Sequence, residues 1–100
     1  MLVIAGTIRL DPDRVEAARS AAIEMMAETR KEPGNVAYVF SSSFEDPGVV
    51  HLFEHWESQD ALDAHMKAPH MTVFRQVMGT LGIAEMNVQK YEVSSVGPLS

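Results

Sequence analysis

The feature that most constrains this chain is the order in which its hydrophobic period switches between the two of a strand and the 3.6 of a helix. Leu2, Ile4, Ile8 and Leu10 alternate with Val3, Thr7 and Arg9, which predicts a strand over 2–10. Asp11-Pro12-Asp13 follows, a helix start with Asp11 as N-cap and Pro12 in the first turn. Val15, Ala18, Ala22, Met25 and Thr29 then recur at helical spacing, and the helix is predicted to run to about Glu32, where Pro33-Gly34 stops it. Residues 35–44 alternate again, with Val36, Tyr38, Phe40 and Phe44 on one side. Glu45-Asp46-Pro47-Gly48 reads as a turn into a further strand over 49–56, giving a hairpin. Ser58 can cap a short helix carrying Leu62, His65 and Met66, broken at Pro69. A second helical piece places Met71, Phe74, Val77, Met78 and Leu81 on one face, with Gly79 and Gly82 ending it, and 83–93 forms the last strand.

The resulting order, β-α-β-β-α-β, predicts an α+β fold: a ferredoxin-like four-stranded antiparallel sheet with its helices on one face. One hundred residues leave room for one domain, spanning 1–100 with a loosely ordered tail from about residue 94. The uncovered sheet face is too apolar to stay wet, so a homodimer through that face is expected.

Charge narrows the partners. Fourteen acidic residues against eight scattered basic ones give a formal charge of -6, which argues against nucleic acid and against an anionic membrane surface. The absence of Cys removes disulfides, thiolate catalysis and Cys-held zinc or iron–sulfur centres together. Neither a leader pattern nor a transmembrane-length apolar run is visible, so a cytoplasmic location without membrane insertion is expected. Without a Gly-rich phosphate loop there is no nucleotide or flavin fingerprint, and no cofactor is expected.

One stretch goes beyond periodicity: Glu54-His55-Trp56-Glu57-Ser58, then Ala61-Leu62-Asp63-Ala64-His65, then Pro69-His70-Met71 and Phe74. It resembles the antibiotic biosynthesis monooxygenase family of the dimeric α+β barrel group, and most of all its small bacterial quinol monooxygenases. Glu32-Pro33-Gly34 and Ala84-Glu85-Met86-Asn87-Val88 fit the same pattern, so the resemblance covers nearly the whole chain. It implies a cofactor-independent oxidation of a small hydroquinone or phenol by O2 in an apolar pocket. Heme-degrading relatives use an Asn on the first strand and a His after the proline break. Thr7 and Arg75 stand near those positions here, which disfavours heme chemistry.

The resemblance makes His65 and Trp56 the catalytic candidates: His65 as acceptor of a phenolic proton, because an imidazole titrates near neutrality, and Trp56 as a wall for a flat ring. Each is equally readable as an ordinary core side chain. Phe74, Met66, Met71, His70, Tyr38, Phe40 and Glu54 are candidates for the pocket. Among these, His70 is expected to bond the chain locally, and Glu54 to pair with a cation such as Arg75 or Arg9. His51 and His55 share a strand face away from Trp56, about 13 Å apart at ~3.3 Å per residue, too far for one ion. No His, Asp or Glu grouping shows metal-ligand spacing along the chain. Two other functions fit the same residues: an isomerase of small hydroxy-ketones, and a non-catalytic dimer that binds small hydrophobic molecules or acts in stress response.

Overall fold

The computed structural model describes residues 1–100. It contains β1 (Leu2–Arg9), α1 (Pro12–Thr29), β2 (Asn35–Ser42), β3 (Val49–Trp56), α2 (Gln59–Met66), α3 (Pro69–Thr80) and β4 (Glu85–Glu92). All four strands join one antiparallel sheet in the order β2-β3-β1-β4, the ferredoxin-like α+β arrangement expected from the pattern. Leu2 pairs with Trp56 on one side and Glu92 on the other, so the ends of β1, β3 and β4 lie level. No helix is long and apolar enough to cross a membrane.

Local chemistry sets the boundaries. The Asp11 carboxylate accepts from the Asp13 backbone N–H at 2.9 Å, and Pro12 takes the first helical position, where no N–H is needed. The helix α1 stops at Thr29, a few residues earlier than predicted. Pro33 lacks an N–H and disfavours helical backbone at Glu32, so the chain leaves through tight turns in which Lys31 and Glu32 bond back to Glu28 and Thr29. Gly34 follows at φ 84°, and a Cβ there would lie 2.6 Å from that of Ala61 on α2. This glycine is therefore needed both for its backbone and for the docking of α2 against the turn.

Three sequence expectations are corrected. A bulge between Asn35 and Ala37 ejects Val36 from the face shared by Tyr38 and Phe40, leaving it exposed. Phe44 lies beyond the end of β2 and is fully exposed in the turn, which Ser43 and Asp46 tie through bonds to the backbone of Glu45 and Gly48. Gly79 lies within α3; the chain turns instead at Gly82, at φ 65°, one residue past the capping Leu81.

The helices cover one sheet face through two apolar clusters. Leu2, Met25, Tyr38, Trp56 and Leu62 form one, and Ile8, Leu10, Ala18, Met78 and Leu81 the other. Phe40 and Phe74 are half-buried against both and join them. On the opposite face, paired positions place Phe53 between Ala5 and Val39, and Val3 between Tyr91 and His55. Val39, Phe53 and Tyr91 are exposed there, while the Nε2 atom of His55 is buried without a hydrogen-bond partner.

Candidate functional site

Four segments meet at one end of the helix-covered face. Trp56 is the last residue of β3, so the chain turns into α2 beside its ring, and the Ser58 hydroxyl caps that helix by accepting from Ala61 N–H at 3.1 Å. Leu62 and His65 lie on the inner face of α2, both buried. Pro69 starts α3 and brings His70 into its first turn. The turn after α1 supplies Glu32.

These side chains make a connected polar network inside an aromatic shell. Both imidazoles donate to the same carboxylate oxygen of Glu32: His65 through Nδ1 at 2.7 Å and His70 through Nε2 at 2.9 Å. His65 is 1% exposed, Glu32 14% and His70 21%, so the network is sealed on the His65 side and opens toward His70. The His65 ring lies 4.8 Å from that of Trp56 and 5.4 Å, edge-on, from that of Tyr38. Donation from Nδ1 fixes the tautomer of a neutral ring and leaves Nε2 as the nitrogen with a free lone pair. That atom makes no hydrogen bond here.

Glu54 and Trp56 form a second pair on the same strand face, with the indole N–H donating to the Glu54 carboxylate at 2.9 Å. Burial pushes the Glu54 carboxyl above its ordinary range, partly offset by the Trp56 hydrogen bond and by the nearby His65. Burial likewise pushes the Tyr38 phenol upward, reinforced by the Glu54 and Glu32 carboxylates. Tyr38 is therefore held as a neutral hydroxyl.

The structure thus gathers His65, Trp56, His70, Tyr38 and Glu54, with Phe40, Met71 and Phe74 packed against the surrounding core. Met66 stands apart, exposed on the outer side of α2. The expected cation partners of Glu54 are engaged elsewhere: Arg9 with Asp46, and Arg75 with the Met66 carbonyl. His70 does not bond locally but reaches Glu32 across 38 residues. Spacing along the chain shows no metal pattern because the donors lie on three separate segments. In the fold, donor atoms of Glu32, His65 and His70 lie within 4.8 Å of one another. Glu32 was hidden as a helix-end acid; its one signal was its place before Pro-Gly, which ends the helix there.

An apolar cleft lies elsewhere. Its volume is about 230 Å³, between α1 and the sheet, with Ile8, Phe40 and Val50 on one side and Val15 and Met26 on the other. Arg19, Ser41 and Ser42 are its polar groups. Of the predicted pocket residues only Phe40 lines it, and the ring of Phe40 also meets Tyr38 edge-on at 5.4 Å. Phe40 is thus the link between cleft and network.

Comparison with known proteins agrees with this architecture. The fold superposes on the "putative antibiotic biosynthesis monooxygenase" of Deinococcus radiodurans with a TM-score of 0.90, at 22% identity over 100% of this chain and 99% of that one. It superposes on Rv0793 from Mycobacterium tuberculosis with a TM-score of 0.80, at 30% identity over 99% of this chain and 97% of that one. An uncharacterized Synechocystis protein, sll1783, is 26% identical over 98% of this chain and 67% of its own length. The model of the family described as antibiotic biosynthesis monooxygenase matches residues 1–77, from β1 into α3 and through every residue of the Glu32–His65–His70 network, and the chain belongs to that family.

Proposed function

We propose that the protein is a cofactor-independent monooxygenase that oxidises a small hydroquinone or related phenol with O2. The observation that carries this reading is His65: buried, oriented by Glu32 through Nδ1, with its ring packed 4.8 Å from that of Trp56 and 5.4 Å from that of Tyr38 and its Nε2 left to accept. A carboxylate that orients an imidazole is the arrangement used for general-base work. The apolar cleft supports a ring-sized substrate, being somewhat smaller than the ~300 Å³ at the low end of ordinary ligand pockets. In this reading the ring enters past Phe40, its hydroxyl gives a proton to His65 Nε2, and the electron-rich anion reduces O2. One oxygen atom enters the ring and the other leaves as water with two substrate hydrogens, so the substrate supplies every electron. Trp56 positions the imidazole and walls the ring.

The exposed sheet face is proposed to close against a second copy. Val39, Phe53 and Tyr91 lie exposed together on it, and the orphaned His55 Nε2 would find a partner or water there.

One observation favours a second reading, that of a non-catalytic binding protein: the cleft does not include His65. Oxygen uptake with a panel of hydroquinones, corrected for spontaneous oxidation, separates the two. Saturable uptake that His65→Ala loses while still folded supports the oxygenase. Uptake at background across the panel, with saturable binding of the same compounds, moves the protein to the binding class.

A further inference from the structure

The geometry points to a binding site for a divalent transition-metal ion of the zinc class, built from Glu32, His65 and His70. Two imidazoles and one carboxylate are a donor set that borderline ions such as Zn²⁺, Co²⁺ and Fe²⁺ take. The donor atoms already converge: Glu32 Oε2 stands 2.7 Å from His65 Nδ1 and 2.9 Å from His70 Nε2, and all three ligands fall within 4.8 Å of one another. Metal–ligand bonds of ~2.0–2.1 Å at tetrahedral angles space the donors about 3.4 Å apart. The contacts to Glu32 therefore open by roughly half an ångström on loading, while the two histidine nitrogens, within 4.8 Å of each other, draw in toward that spacing by side-chain torsion.

The frame around the donors is preformed. His65 sits on a helix capped by Ser58, His70 in the first turn of a helix started by Pro69, and Glu32 on a turn fixed by Pro33 and by the contact of Gly34 with Ala61. The site is closed on the His65 side and open at His70, which is 21% exposed. That opening gives an ion its approach and leaves a coordination position for water or a ligand. The ion takes the place of the two N–H protons that now point at Glu32, and on a neutral ring each proton moves to the other ring nitrogen. Coordination through Nδ1 leaves His65 protonated at Nε2, and the loaded form then lacks the proton acceptor proposed above. The site itself stands whether or not that oxygenase reading holds, because its readout is binding.

Trp56 is the chain's one tryptophan, and its ring lies 4.8 Å from that of His65, so it reports directly on the site. The chain's other two histidines, His51 and His55, are on the opposite sheet face and serve as the control for adventitious binding. The experiment titrates chelator-treated protein with Co²⁺, following Trp56 fluorescence and visible Co²⁺ absorption, then adds Zn²⁺ as competitor. Expected are saturable quenching at one ion per chain, displacement by Zn²⁺, affinity at least tenfold lower in His70→Gln and in Glu32→Gln, and no change in His51→Gln. Circular dichroism verifies that the variants fold. If either variant does not fold, a Zn²⁺-dependent rise in the melting temperature of the wild-type chain, compared with His51→Gln, carries the test. Absence of saturable quenching, or binding that survives in folded His70→Gln and disappears in His51→Gln, overturns the site.

Discussion

Replacing Glu32 by Ala tests whether one carboxylate ties the turn after α1 to both later helices. Its two bonds differ in environment. The His65 limb is 2.7 Å long and ends on a side chain 1% exposed, so truncation strands a buried N–H; at 1–3 kcal/mol for such a group, beyond the bond itself, this limb is worth about 2–3 kcal/mol. The His70 limb is 2.9 Å long on a ring 21% exposed, where water replaces much of the loss, leaving about 1 kcal/mol. The sum is about 3–4 kcal/mol. At ~4–8 °C per kcal/mol for a domain of this size, Glu32→Ala should melt roughly 12–30 °C below the wild type. Urea unfolding of Glu32→Ala, His65→Ala, His70→Ala and the two double variants gives the couplings. Glu32–His65 should couple more strongly than Glu32–His70. A loss under about 1 kcal/mol, or the reverse order of couplings, refutes the assignment of Glu32 as the buried anchor.

The remaining predictions concern the core pair, the sheet and the open face. Glu54→Gln keeps an acceptor for the Trp56 N–H but removes a buried charge whose pKa the fold raises; the variant should be more stable than wild type near neutrality, with the gain disappearing as pH falls through that raised pKa toward the ordinary 4.5. Melting curves across pH check this, and a pH-independent difference sinks it. Gly6→Ala places a Cβ against the Asn87 carbonyl and 2.6 Å from Val88 Cα, both backbone, so β4 must move; a loss at or above the upper end of the ~1–3 kcal/mol typical of overpacking is expected in urea unfolding, and a near-neutral result contradicts the close approach. Phe53→Glu puts a charge on the exposed sheet face and should shift sedimentation from dimer to monomer while the circular dichroism spectrum is kept. A wild-type chain that sediments as a monomer removes the proposed interface.

The fold was legible because the two periods and their punctuation agree. Asp11-Pro12, Ser58 and Pro69 mark helix starts that the structure keeps, and Leu2, Ile8, Tyr38 and Trp56 fall on the buried face that alternation assigns them. Alternation failed at Val36 and Phe44, where a bulge and a strand end change the face without changing the composition. Of the candidate site, His65, His70, Trp56, Tyr38 and Glu54 were named from the sequence, while Glu32 and the bonds it makes were not. His65 and His70 stood out by their pattern, yet their shared partner Glu32 lies more than thirty residues upstream of both, and chain spacing carries no trace of a contact that tertiary packing alone creates. The apolar cleft was missed for the same reason: Val15, Ala18 and Ala22 read as an ordinary helix face, and the space beside them exists only once α1 packs on the sheet.

That separation of cleft and network bears on the chemistry. A phenol bound in the cleft meets walls that are mostly apolar, which disfavours its anion, with Arg19 near the rim as the one charged group. The base is held beyond Phe40 and Tyr38, where Glu32 fixes its tautomer and the Trp56 and Tyr38 rings shield it from water. Proton transfer then requires Phe40 to yield or the substrate to press past it, so the free energy of binding the ring in the cleft is what brings its hydroxyl to His65. A ligand too small to fill the cleft would lack that drive, and one without an ionisable hydroxyl would bind and stay unchanged. On this argument the same geometry accounts for both readings of the protein: the cleft alone makes a binding module, and the cleft joined through Phe40 to the Glu32–His65 pair makes an oxygenase.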